Sequence, residues 1–152
     1  MAEATIGPRG VIKGLHHVAV AVRDMARAEA FYVGVLGLAP CPAKRNWLSA
    51  GQGYEVHLMP LKGGPVPRDP ARHFTLEVER LEAITALLLS HGLRPYQVTV
   101  DQSARRGIAS ATDPLDFGIG TIFVDDPDGN SVEFLQPGRG IVADVLGPGR
   151  AS

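Results

Sequence analysis

The chain repeats itself, and the repetition falls on residues that bind metal. The stretch Gly53-Tyr54-Glu55-Val56-His57-Leu58-Met59 returns in pattern as Gly129-Asn130-Ser131-Val132-Glu133-Phe134-Leu135, with Glu133 at the position of His57. A second echo pairs His17-Val18-Ala19-Val20-Ala21-Val22 with His73-Phe74-Thr75-Leu76-Glu77-Val78. An amphipathic helix pattern follows in both copies. Each half thus carries a donor-type residue on its first strand and another on its last. Two such halves imply one metal site shared between repeats.

Length and composition bound the rest. A chain of 152 residues, 45% hydrophobic and 20% charged, is globular and large enough for a real core. The formal net charge of −1 leaves no footprint for nucleic acid or an anionic membrane. No apolar run is long enough to span a bilayer. The first residues lack the basic-then-apolar order of a signal peptide. Cys41 stands alone, so no internal disulfide can form, which suits a cytoplasmic protein.

Periodicity divides the chain into an arm (1–13), a paired unit (14–136) and a Gly-rich tail (137–152). Module 1 covers about 14–60, a Pro/Gly-rich linker 61–71, and module 2 about 72–136. In module 1, residues 15–23 alternate as a strand. Asp24 is a helix N-cap, Met25, Ala28, Phe31, Tyr32, Val35 and Leu36 form a helical stripe, and Gly37 ends it. Strands follow at 38–42, 44–50 and 54–60. Module 2 repeats this with strands at 72–79, 94–100, 120–124 and 131–136, and a helix through Leu81, Ile84, Leu87 and Leu88 ended by Gly92. Asp125-Asp126-Pro127-Asp128-Gly129-Asn130 is a turn without a catalytic role. Residues 101–119 read as a long loop, a candidate lid or binding loop. The expected architecture is α+β: two paired βαβββ modules forming a cupped mixed sheet with helices outside.

Strand alternation puts His17, His57, His73 and Glu133 on faces opposite the apolar rows that the helices cover. Three imidazoles and a carboxylate suit Ni, Co, Zn, Mn or Fe(II). Without His57, the other three form a two-His-one-carboxylate set. With it, two positions of a six-coordinate cation stay open for a bidentate substrate, on which the cation acts as a Lewis acid. His57 alternatively serves as a pocket acid–base group. Trp47, Met59 and Phe123 are candidate cup walls, and Arg105 and Arg106 candidate clamps for an anionic substrate. His16 should point away from the cup if His17 points in. His91 fits a helix C-terminus, where its charge favours the dipole.

These stretches carry a resemblance. Residues 15–22, 31–38, 72–78 and 123–134 are similar to the vicinal oxygen chelate superfamily: glyoxalases, bleomycin and fosfomycin resistance proteins, extradiol dioxygenases and methylmalonyl-CoA epimerases. The resemblance implies paired βαβββ modules around a cup, with metal on His17, His73 and Glu133. In glyoxalase I and the epimerases a fourth ligand comes from the strand of His57. It also implies a homodimer, in some members with a cup assembled from modules of two chains.

Three activities follow from that likeness. The first is a glyoxalase-type isomerase or lyase acting on a small vicinal-oxygen substrate such as an α-hydroxycarbonyl, with Glu133 moving the proton. Two departures tell against lactoylglutathione: His57 replaces the usual Glu, and Ala21 replaces an Arg that holds glutathione. An epimerase would lack a second catalytic carboxylate near residues 39–42. The second is an Fe(II) or Mn(II) extradiol-type dioxygenase, against which Phe123 stands where those enzymes have Tyr and Gln52 near the place of their acid–base His. The third is an antibiotic- or ligand-binding resistance protein. Ala19 stands where fosfomycin-type enzymes have Thr, and sequestration alone needs no set of metal donors.

Overall fold

Alternating strands and helical stripes open both halves with the same strand-then-helix order. The structure is a computed structural model, and it describes residues 12, 14–64 and 68–141. Most of the expected arm, the middle of the linker and the end of the tail therefore lie outside the described residues. Module 1 contains β1 (His17–Val22), α1 (Met25–Glu29, continuing as a π-helical stretch Ala30–Val35), β2 (Ala39–Cys41), β3 (Lys44–Ser49) and β4 (Glu55–Pro60). Module 2 contains β5 (His73–Glu77), α2 (Leu81–Ser90), β6 (Tyr96–Val98), β7 (Arg105–Gly107), β8 (Ile122–Asp125) and β9 (Ser131–Leu135).

The helix boundaries follow from local chemistry. The Asp24 carboxylate accepts from the Arg27 amide at 3.1 Å and caps α1. Gly37, at φ +76°, donates its amide to the Val33 carbonyl and ends the helical run in the left-handed conformation that glycine adopts without strain. His91 is the C-cap of α2, as its place before Gly92 predicts.

Hydrogen bonding resolves the architecture into two mixed sheets, β1-β4-β3-β2 and β5-β9-β8-β6-β7. Each is built on a parallel pair in the same register. In the first, Ala19 faces His57; in the second, Thr75 faces Glu133. The loop expected at 101–119 contains one unforeseen strand. Arg105–Gly107 forms a hairpin with β6, so module 2 has five strands where four are expected. The strand has only three residues and all are exposed, so no apolar alternation marks it.

Both apolar rows enter one core. Val20, Val22, Val56 and Leu58 from the first sheet join Leu81, Leu88, Ile122, Val132 and Phe134 from the second half, with Ala28, Phe31 and Tyr32 between. A polar latch closes this joint. The Tyr32 hydroxyl donates to Asp126 at 2.9 Å, and Arg23 makes an ion pair with Asp128 at 3.1 Å. The Asn130 side-chain amide donates to the Ala21 carbonyl at 2.9 Å and to Asp126 at 2.8 Å. Gly129, at φ +90°, lets the turn fold back so that its amide reaches the Asp126 carbonyl at 3.0 Å. Among the described residues no helix is long and apolar enough to cross a membrane.

Asp126 accepts four hydrogen bonds in a buried position, so Asp126→Ala strands several donors at once. The expected cost is about 3 kcal/mol, read by urea denaturation. Alkaline conditions test the same joint. Burial first, then the Asp126 charge, raises the Tyr32 phenol well above its ordinary 10.0, and burial pushes Tyr96 up to about 12. The folded state keeps these protons where the unfolded chain releases them. Stability present below pH 10 should therefore fall as pH rises from 10 through 12. Tyr32→Phe should flatten that decline.

Candidate metal centre

The second sheet gathers the most completely organised donors. His73, Thr75, Ser131, Glu133, Phe123 and Asp125 share one face, as register and alternation require. Glu133 is only 7% exposed. The Thr121 hydroxyl donates to its Oε1 at 2.6 Å, and the Thr75 hydroxyl donates to its Oε2. His73 Nε2 lies 3.1 Å from that same Oε2. His73 Nδ1 lies 2.6 Å from the Pro70 carbonyl, which can only accept, so Nδ1 carries a hydrogen.

That last bond fixes the chemistry of the pair. A neutral ring protonated at Nδ1 presents an electron pair at Nε2, and a carboxylate oxygen faces it. At 3.1 Å, His73 Nε2 and Glu133 Oε2 lie within ion-pair distance of each other. An imidazole oriented through its far nitrogen and a carboxylate oriented by hydroxyls are the usual supports of a metal site. His73 and Glu133 are of the donor types that divalent cations accept.

The first sheet carries the other two candidates, His17 and His57. His17 and His57 have ring centroids 6.0 Å apart, and Trp47 packs against both: parallel to His57 at 4.1 Å and edge-on to His17 at 4.6 Å. Trp47 faces His57 directly across the β3/β4 pair. His16 does not turn away as expected. It precedes β1, where alternation no longer governs, and its Nδ1 lies 2.9 Å from the Nδ1 of His17. The Asn46 side-chain amide donates to the Leu58 carbonyl at 3.1 Å and lies 3.2 Å from His57 Nε2.

The two halves do not meet inside one chain. Among the described residues, no three His, Cys, Asp or Glu side chains converge on a common point. Both apolar rows point into the shared core, so both donor faces are turned away from it. Two open grooves, of about 540 and 550 Å³, run beside α2 and touch none of the four residues.

The remaining candidates separate. Met59 is 47% exposed on the His57 face. Phe123 is buried, edge-on to His73 at 5.2 Å and stacked on Tyr96 at 5.7 Å, so it supports His73 from within the sheet. Arg105 lies over the Tyr96 ring at 3.4 Å on the Glu133 side. Arg106, one residue on, points to the opposite side of β7 and lies 3.9 Å from Asp116. The two side chains thus leave β7 on opposite sides. Sequence reasoning missed Thr75, Thr121 and Asn46. Only Thr75 left a signal, since it shares a strand face with His73.

Residues 14–134 match the family model of the Glyoxalase/Bleomycin resistance protein/Dioxygenase superfamily. The uncharacterized protein YaeR of Escherichia coli (strain K12) is 25% identical over 138 residues, covering 82% of this chain and 97% of that protein. Among solved structures, oxidase ChaP-H2 aligns with a TM-score of 0.59 at 20% identity, covering 81% of this chain and 92% of its own. TnmS3, an antibiotic binding protein from Streptomyces sp. CB03234, aligns at 0.53 and 21% identity, covering 84% and 98%. These two structural likenesses show the shared fold. With the family model spanning both modules, the chain belongs to the Glyoxalase/Bleomycin resistance protein/Dioxygenase superfamily.

Proposed function

We propose that this protein is a metal-dependent enzyme of the glyoxalase type, an isomerase or lyase acting on a small substrate with two adjacent oxygens. The observation that carries this reading is the juxtaposition of His73 Nε2 and Glu133 Oε2 at 3.1 Å, with Nδ1 committed to Pro70. In this reading His73 and Glu133 would hold the cation from one side, and His17 and His57 from the other. A divalent cation there supplies Lewis acidity toward vicinal oxygens. Glu133 moves the substrate proton, and the Thr75 and Thr121 hydroxyls hold its carboxylate in place as the charge changes.

The half-sites face outward, so the reading includes a homodimer in which module 1 of one chain meets module 2 of its partner. Leu15, Met59 and Leu61 are exposed apolar residues of module 1 and its edge. A second copy would cover such a surface while completing the donor set.

A second reading, an Fe(II) or Mn(II) extradiol-type dioxygenase, draws on the contact of Asn46 with His57. If His57 stays off the cation, two imidazoles and one carboxylate remain, the donor set of non-haem iron oxygenases. Metal analysis after aerobic and anaerobic purification separates the two. Tightly held Ni, Co or Zn without O2 uptake supports isomerisation, whereas labile Fe(II) with O2 consumption on catechols supports ring cleavage. Glu133→Gln should lose both metal retention and turnover; normal activity in that variant excludes Glu133 as the base.

Mixing tests the dimer. His17→Ala and the double variant His73→Ala/Glu133→Gln should each bind little metal alone. Co-refolded in equal amounts, they should recover roughly one quarter of the wild-type sites, because half the dimers are mixed and each mixed dimer has one intact site. No recovery would sink the cross-subunit arrangement.

A further inference from the structure

The β6/β7 hairpin fixes one guanidinium in place without spending its charge. Arg105 lies over the Tyr96 ring at 3.4 Å, and Phe123 stacks on Tyr96 at 5.7 Å with the rings inclined by 21°. The strand order β8-β6-β7 puts Phe123 and Arg105 on the two sides of that ring. A guanidinium stacked on an aromatic face keeps its N–H donors in its own plane, where they remain free for an anion. Arg106, one residue on, differs: it lies 3.9 Å from Asp116. Among the described residues no carboxylate lies within ion-pair distance of Arg105 or of Arg94.

Those two arginines line the same open groove, of about 550 Å³, between the C-terminal end of α2 and the hairpin. Leu89, Leu93, Ile108 and Tyr96 line it with them, and no acidic residue does. The end of α2 offers little to attract a cation there, because the Leu88 and Leu89 carbonyls accept from the Leu93 and Gly92 amides. Gly107 opens the groove further. It faces Tyr96 across the β6/β7 pair, in a strand where glycine is disfavoured. Its φ lies outside the left-handed region, and a Cβ there would meet no atom within 4 Å. Neither backbone strain nor crowding within the chain therefore calls for glycine. A glycine in a strand also marks places where a ligand approaches the backbone closely.

We propose that this groove binds a small organic carboxylate with an apolar body. Arg105 donates to the carboxylate through the edge of its fork, and Arg94 supplies a second positive charge. Leu89, Leu93 and Ile108 cover the apolar body, which passes over Gly107. The ring stack holds Arg105 before the ligand arrives, so little side-chain freedom is lost on binding. The volume falls in the range of small-molecule sites. Arg105 thus has Arg94, not its neighbour Arg106, as its companion on an anion. Binding here requires no metal and no second copy of the chain.

Octanoate is the probe, titrated by calorimetry into the full-length, metal-free protein, with acetate, octylamine and 1-octanol as comparisons. Octanoate should bind and shift the Arg105 Nε–H signal in NMR spectra. The three comparison compounds should each bind at least about 10-fold more weakly, since each lacks either the charge or the apolar body. Arg105→Met, which keeps an apolar stem, should weaken octanoate binding at least about 10-fold. Arg105→Lys should lose less, because it keeps the charge and loses the planar fork. Gly107→Leu should fill the groove and abolish binding without lowering the melting temperature, as leucine suits a strand better than glycine. Arg106→Gln should bind octanoate as wild type does. The proposal is overturned if octanoate does not bind, if any comparison compound binds as tightly, or if either Arg105→Met or Gly107→Leu keeps wild-type affinity.

Discussion

The organising constraint is a single core shared by two copies of one module. Each module has one apolar row and one polar row on its sheet, and both apolar rows need cover. Packing them around the same helices and strands satisfies both at once. The Asp126–Asn130 turn then fixes the joint, because Asp126 and Asp128 reach Tyr32 and Arg23 across about a hundred residues of sequence. Once the apolar rows face each other, the polar rows have no choice of direction. They face outward, and each carries two of the four candidate donors. The openness of the site is thus a consequence of how the core is closed.

The halves differ in how far they are organised. In module 2 every donor atom has a partner that fixes it: a carbonyl on His73 Nδ1 and a hydroxyl on each oxygen of Glu133. These partners cost no rearrangement when a positive charge arrives. Module 1 is looser. His17 is exposed and touches His16 through one nitrogen, and His57 has its Nε2 engaged by an amide. In the proposed dimer, a cation would bind first to the prearranged pair, with His17 arriving from the partner chain. Such an order would couple metal binding to dimer assembly.

Much of this was legible in the sequence because strand alternation is strict. The period of two that separates His73 from Phe74, and Glu133 from Phe134, assigns each to a face without any structure. The repeat supplied the register, since equal spacing in both copies requires equal pairing. What escaped notice lies where alternation stops. His16 precedes its strand, Asn46 sits one step beyond the end of a ladder, and β7 is too short and too exposed to show a pattern. The latch was legible only as a turn. Asp-Pro-Asp-Gly announces a reversal of direction, but nothing in the local sequence says that its carboxylates will be buried against a tyrosine from the other module. Long-range polar contacts of this kind depend on the packing of the modules, which periodicity does not encode.

The difference between the two copies would set the charge of the proposed centre. Had both modules kept a carboxylate at the end of the parallel pair, a divalent cation would be neutralised by its protein donors. Here one copy has Glu133 and the other His57, and Ala19 beside His57 offers no hydroxyl to support an anion there. In the proposed site, a single carboxylate among the protein donors would leave a divalent cation with a net charge of +1. That residual charge favours a substrate whose adjacent oxygens gain negative charge as a proton leaves, and it lowers the cost of that ionisation.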